Sequence, residues 1–342
     1  MVIFGAGASH DSDSDRPPAT HATYAHRPPL ASTLFAPTFG EWAHRYPQSQ
    51  GLMPRLRTAS PRIEEELEKI REEAKTQPPM RRQLAAIRYY LQGVIQSTST
   101  GWYKDTNGGV TNYVRLLQRV EAWRSAHNER VCLVTFNYDT LLERACTGAG
   151  LGLRLANINE YVENEGYWVI RLHGSVDWFY YQSGQSTPSD QELIEKSGIG
   201  LTLGNLVRIP GWDGPTPTGH FPAVAIPTQS KAGSDFICPV DHIEVLESAL
   251  RSMTKLLVVG WRGQEQHFYE LWHILPGFGH FARFPQQLEQ LLVVDATHDD
   301  VVAVLGNMAA GAGLSNVLAS EITGGFSAAM SSREIEEFLP LR

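Results

Sequence analysis

Asn137 and Asp139 stand one residue apart just after the apolar run 131–136, and His173 follows the apolar run 168–172 with Gly174 beside it. An amide can hold a hydroxyl or a water. A carboxylate can orient a sugar hydroxyl or balance a developing positive charge. An imidazole, with an ordinary pKa of about 6.5, can take up a proton near neutral pH. Three more apolar runs end in the same way. Residues 2–4 lead into Gly5-Ala6-Gly7-Ala8-Ser9, residues 256–259 into Gly260-Trp261-Arg262-Gly263, and residues 291–294 into Asp295. Glycines at such a place let a backbone approach a pyrophosphate with its N–H groups exposed. A carboxylate there can accept hydrogen bonds from ribose hydroxyls.

Each segment also has a plainer explanation. Gly5 to Ser9 does not complete G-x-G-x-x-G, because His10 holds the last place, and a tight turn explains the two glycines equally well. Asp139 or Thr140 can cap the helix that follows, Asp295 can cap a helix or turn, and His173 can be a satisfied structural group. Asn137 is harder to explain as a cap.

The elements that must position these residues are legible from periodicity. The short, continuous apolar run 131–136 reads as a strand suited to burial on both faces, and 153–158, 168–172, 223–226, 256–259 and 291–294 are further strand candidates. Helical spacing appears at 140–147, 241–253, 264–274 and 299–310. Strands alternating with helices predict an α/β fold built on a doubly wound, Rossmann-like parallel sheet. Residues 61–75, 80–97 and 112–127 show helical periods with little strand signal. The expected organisation is therefore a discontinuous Rossmann domain of residues 1–20 and 129–330 with an irregular loop at 183–219, a mainly helical insertion at 21–128, and a C-terminal tail at 331–342.

Composition narrows the function classes. A net charge of −8 provides no diffuse positive field for nucleic acid, and the basic cluster at 80–82 reads as a solvated helix face. Cys132, Cys146 and Cys238 form no CxxC pair, so a four-cysteine zinc site is excluded and no metal is expected. Sparse, odd cysteine usage suits a reducing cytoplasm. There is no apolar run of about eighteen residues and no secretory pattern at the N-terminus, so a membrane partner is not expected.

Taken in order, Gly5-Ala6-Gly7-Ala8-Ser9, Thr135-Phe136-Asn137-Tyr138-Asp139 and His173-Gly174 resemble the motifs of the sirtuin superfamily, which carries G-A-G-x-S, T-Q-N-I-D and a catalytic H-G in that order. The turn at Gly260 to Gly263 is similar to a later glycine turn of the same family. The resemblance covers about half of the chain, its Rossmann parts. The family's four-cysteine zinc ribbon is missing here. Asp11 to Asp15 stands where the family has G-I-P-D-F-R. With these departures, the segments 172–175 and 226–231 and the helical insertion look more like the sirtuin-like NAD hydrolases of bacterial antiphage defence.

That resemblance implies NAD as substrate, cleaved to nicotinamide and ADP-ribose, with depletion of NAD as the defence in abortive infection. It implies Asn137, His173 and Asp139 as the catalytic set, and Gly5, Ala6, Gly7, Ser9, Thr135, Gly260, Arg262 and Asp295 as NAD-binding residues. It also implies a homo-oligomer and a separately encoded partner such as a HerA-type ATPase. Alternatives are an NAD-dependent deacylase or ADP-ribosyltransferase, and a non-catalytic sensor of NAD or ADP-ribose. More distant is an ordinary Rossmann dehydrogenase.

Overall fold

The structure, a computed structural model, describes residues 1–18, 24–106, 110–182, 187–228, 236–273, 288–312 and 317–341. The expected domain boundary near residue 20, part of the irregular loop (183–186), part of the segment 226–231 (229–231) and the expected helix end at 274 lie outside the described residues.

Among the described residues, nine strands run in chain order: β1 (Val2–Phe4), β2 (Val131–Thr135), β3 (Tyr167–Arg171), β4 (Gly174–Tyr181), β5 (Asn205–Arg208), β6 (His220–Val224), β7 (Lys255–Val259), β8 (Gln290–Val294) and β9 (Leu318–Ile322). Six form one sheet in the order β3-β2-β1-β7-β8-β9, and every pairing in it is parallel. Counting only these parallel strands, the order is 3-2-1-4-5-6, the doubly wound Rossmann arrangement.

Strand composition follows from burial on both faces. Side chains alternate across a strand. Val2 and Phe4 of β1, Leu133 of β2, Leu257 and Val259 of β7, and Leu292 and Val294 of β8 enter one core. Ile3, Val134, Val258 and Val293 enter the other. Since neither face meets water, the strands show no polar alternation. Helices Thr111–His127, Leu141–Gly148, Gly325–Ala329 and Arg333–Phe338 cover the first face, and Val240–Ser252, Gln266–His273 and His298–Ala312 the second. Within the expected insertion 21–128, helix Thr111–His127 therefore packs on the sheet. Within the expected tail, Ile335 and Phe338 are buried in the same core.

Between β1 and β2 the chain is largely helical, including Met53–Ala59, Ile63–Thr76 and the 28-residue helix Pro78–Asp105. Ile63, Leu67, Ile70 and Ala74 recur on one helix face and are buried against the long helix in a core of their own, which also takes in Val176 of β4.

Three expectations about this half of the chain need correction. Residues 153–158 are not a strand: the Asn164 side chain accepts from the Arg154 N–H (2.8 Å) and donates to the Arg154 carbonyl (2.8 Å), occupying groups that a strand ladder would use. Residues 223–226 do not extend the parallel sheet, because Ala223 and Val224 belong to β6, which pairs antiparallel with β4 in a separate β5-β4-β6 sheet. The irregular loop 183–219 contains β5 and the capped helix Asp190–Ser197. Separately, β9 has no apolar run because it is an edge strand with four of its five residues exposed.

Phe4 is fully buried at the centre of the sheet, with ring centroids 5.0 Å from Tyr113 and 6.5 Å from Phe326. Phe4→Ala is expected to lower stability by about 3–5 kcal/mol, read as a shift in the urea unfolding midpoint.

Candidate functional site

The order of the parallel sheet reverses between β1 and β7, so the chain leaves these neighbours toward opposite faces and a crevice opens at their carboxyl ends. Two glycine turns meet there. The Gly5 N–H donates to the Val259 carbonyl and the Gly7 N–H to the Gly260 carbonyl, each at 3.0 Å. A Cβ at Gly5 would fall on the Gly260 carbonyl oxygen and lie 2.5 Å from Trp261 Cα, and one at Gly7 would lie 2.9 Å from Gly260 Cα. Gly260 itself has φ 58°, in the left-handed region. The glycines of the first turn are thus required by the contact between the two turns, whatever ligand sits above them.

Over this junction lies a cavity of about 660 Å³, within the usual size for small-molecule sites. Gly5, Ala6, Gly7, Ser9, Asn137, Asp139, His173, Gly260, Arg262 and Asp295 all line it. Of the residues singled out from sequence, Thr135 does not. It is buried, and its hydroxyl oxygen accepts from the Asn137 N–H at 3.1 Å, so it shapes the loop and leaves the lining to its neighbours.

The orientation of Asn137 is set by its partners. Nδ2 donates to the Gly5 carbonyl (2.8 Å) and to Ser9 Oγ (2.9 Å), with Tyr113 Oη at 3.4 Å. A carbonyl can only accept, so the amide nitrogen must face Gly5, and Oδ1 is the end left for a ligand. Ser9 Oγ and Tyr113 Oη are 3.0 Å apart. Burial, reinforced by the Asp139 charge, pushes the Tyr113 phenol far above its ordinary range and keeps it neutral.

Asp139 bonds the start of the following helix and also lines the cavity. Its Oδ1 accepts from the Leu141 N–H at 2.9 Å, at the start of helix Leu141–Gly148. His173 packs edge-on to Phe136 (centroids 5.2 Å apart) and is stacked with Tyr138 (6.0 Å). Its Nδ1 lies 3.2 Å from the Phe136 carbonyl. Since that oxygen cannot donate, Nδ1 carries the proton in the neutral ring and the lone pair is on Nε2.

Loop 136–139 is gripped along its length by residues 171–176. The Phe136 carbonyl accepts from His173. The Asn137 and Asp139 carbonyls accept from Arg171 Nη1 (3.5 and 3.0 Å), and Asp139 also from Nη2. The Tyr138 carbonyl accepts from the Val176 N–H at 2.8 Å. Arg171 is fully buried and pairs with Glu143 (Nε to Oε1 3.2 Å), which also accepts from Tyr161 Oη at 3.0 Å.

Several lining residues carried no local signal. His10, Asp11, Glu64, Trp261 and Glu265 also face the cavity. Asp11 accepts from the Ser327 N–H (2.9 Å) and from Ser327 Oγ, and burial raises its carboxyl above the ordinary range against those bonds. Burial likewise raises Asp295, with the Ala296 N–H opposing. The run from Asp11 to Asp15 is visible in the sequence, but nothing in it says which carboxylate turns inward. Among the described residues, no group of three or more His, Cys, Asp and Glu side chains is placed to hold a metal ion, and no helix is long and apolar enough to cross a membrane.

No protein-family model and no curated protein matches the chain. Among solved structures it is similar to a Sir2 homolog in complex with NAD, at 13% identity and TM-score 0.42 over 99% of this chain and 90% of that one. It is also similar to Sir2Tm bound to a propionylated peptide, at 12% identity and TM-score 0.36 over 98% and 91%. These likenesses are distant, and the fold assignment rests on the strand order.

Gly5→Ala is expected to be destabilising by about 1–3 kcal/mol, because the methyl group meets backbone that cannot turn aside. A lowered thermal midpoint by differential scanning calorimetry checks this; an unchanged midpoint would mean that the two turns can part freely.

Proposed function

We propose that this cavity binds NAD and that the protein hydrolyses its nicotinamide–ribose bond, releasing nicotinamide and ADP-ribose. The observation that carries the reading is the convergence of Asn137, Asp139 and His173, from two separate loops, on one cavity with the Gly5–Gly7 turn and Asp295 at the switch point of the sheet. The ordered motif resemblance to sirtuins supports the choice of NAD among dinucleotides.

In this reading the C1′–N bond breaks with both electrons going to the ring nitrogen. Nicotinamide leaves neutral and needs no proton, while C1′ acquires positive charge in an oxocarbenium-like transition state. Asp139 opposes that charge across a short distance in a poorly hydrated site. Asn137 Oδ1 accepts from the attacking water or a ribose hydroxyl, a role available because Nδ2 is already anchored. Water adds to C1′, and its proton passes, directly or through a ribose hydroxyl, to His173 Nε2. Asp295 accepts from the hydroxyls of the other ribose, and the side-chain-free Gly5–Gly7 backbone and Arg262 lie where the pyrophosphate crosses between them. No redox change occurs.

Residues of the helical segment, among them Glu64, Ile95 and Thr98, also line the cavity, so its packing over the sheet is a point at which activity can be controlled. On the motif resemblance, the physiological role is NAD depletion in an infected cell, by a homo-oligomeric effector that works beside a separately encoded partner such as a HerA-type ATPase.

His173→Ala is expected to reduce nicotinamide release by about 10²–10⁴-fold in a protein that still folds, with the thermal midpoint lowered because the Phe136 carbonyl loses its donor. Chromatography of products after incubation with NAD checks it, and wild-type turnover in this variant would remove His173 from the mechanism. Asn137→Ala should lose release as well, with a loss of about 1–3 kcal/mol in stability, since the Gly5 carbonyl and Ser9 lose their donor. Running the same incubation with an acetylated peptide separates the deacylase alternative, which would yield acetyl-ADP-ribose. Tight NAD binding with no product at all would point to a sensor.

A further inference from the structure

Among the described residues, one arginine lies fully buried beneath the site, and the mechanism above makes no use of it. Arg171 ends β3, two residues before His173, and has no exposed surface. Taking a guanidinium out of water costs several kcal/mol even when it is paired, and an apolar side chain of similar volume would avoid that cost. Glu143 balances the charge at 3.2 Å, and Glu143 is itself held by Tyr161. Burial works against the charged form, but Glu143, with Tyr161, Asp177 and Asp139, outweighs it and keeps the guanidinium ionised.

What the charge does there is visible in its donors. Nη1 reaches the carbonyls of both Asn137 and Asp139, and Nη2 reaches Asp139 again. The carbonyl between them, of Tyr138, is held separately by the Val176 N–H. A planar fork of fixed geometry can span two carbonyls at once, whereas the ammonium of a lysine is a single point charge on a flexible stem.

We propose that Arg171 is the positioning residue of this site: its buried fork fixes the two carbonyls that flank Tyr138 and so aims the Asn137 and Asp139 side chains into the cavity. Its catalytic consequence rests on the hydrolase reading; its structural action does not. Arg171 does not itself line the cavity and acts through the loop.

The test uses the full chain and the variants Arg171→Lys and Arg171→Met, followed by amide hydrogen exchange, calorimetric NAD binding and nicotinamide release. The diagnostic amides are those of Asn137, bonded to Thr135 Oγ1 at the end of β2, and Leu141, bonded to Asp139 Oδ1 in the loop. Arg171→Lys is expected to speed exchange at these two amides by about tenfold or more while the amides of β7 and β8 stay protected. It should lower kcat by about 10–100-fold, as expected for a small misplacement, with KM and the Kd for NAD changed by less than about threefold. Arg171→Met, which keeps bulk but no donors, should show at least as large an effect. Should either variant fail to fold, Glu143→Gln keeps the fork but removes its countercharge, and is expected to loosen the same two amides with the sheet intact.

Unchanged exchange at Asn137 and Leu141 in the folded variants would overturn the proposal. So would faster exchange spread evenly over the sheet, which marks a general stability role, or a raised KM with kcat intact. If the wild-type protein binds NAD but releases no nicotinamide, the hydrolase reading fails, and the exchange data still decide whether Arg171 holds the loop.

Discussion

The backbone contact between the turns that follow β1 and β7 is the constraint from which the rest of the site follows. These neighbouring strands send the chain to opposite faces of the sheet, and the turns can touch only because Gly5 and Gly7 present no Cβ to the Gly260 carbonyl and the Trp261 backbone. With the turns closed on each other by two hydrogen bonds, the Gly5 carbonyl is left pointing at Asn137 Nδ2. A packing requirement of the sheet thereby becomes the anchor of a side chain in the cavity.

A second layer of order is polar and buried. Strand ends of a parallel sheet leave carbonyls without ladder partners, and buried carbonyls must be satisfied. Here residues 171–176 supply donors to the consecutive carbonyls of Phe136, Asn137, Tyr138 and Asp139. The loop that bears two of the candidate groups is therefore bonded along its length to the strand end that bears the third. A further buried pair, Arg208 Nε to Asp177 Oδ2 at 2.7 Å, ties β5 to β4. The same β4 supplies Val176, so the small antiparallel sheet is bonded to the framework of the site.

Much of the architecture was readable from local pattern. Apolar runs at β2, β3, β7 and β8 gave themselves away because both faces of those strands are buried. The polar residues at their ends line the cavity because carboxyl ends of parallel strands open into one crevice. Where the reading failed, a non-local partner was responsible. Residues 153–158 have a strand's composition, but the Asn164 side chain takes the Arg154 backbone groups. The edge strand β9 is polar because water, not helix, faces it. Arg171 sat inside a motif that was read for its histidine, and one charged residue in an apolar run carries no mark of the ion pair that awaits it.

By itself the sequence determined which segments are buried strands and which polar residues sit at strand ends, because burial acts on neighbouring residues and leaves a periodic trace. Only the tertiary structure decided that Thr135 faces inward while Asn137, Asp139 and His173 share a cavity, which end of the Asn137 amide is free for a ligand, and which histidine nitrogen holds the proton. Those outcomes depend on hydrogen bonds between residues far apart in the chain, such as Asn137 with Gly5 and His173 with Phe136. Such pairings follow from strand order, and strand order is a property of the packed sheet that no local stretch of sequence encodes.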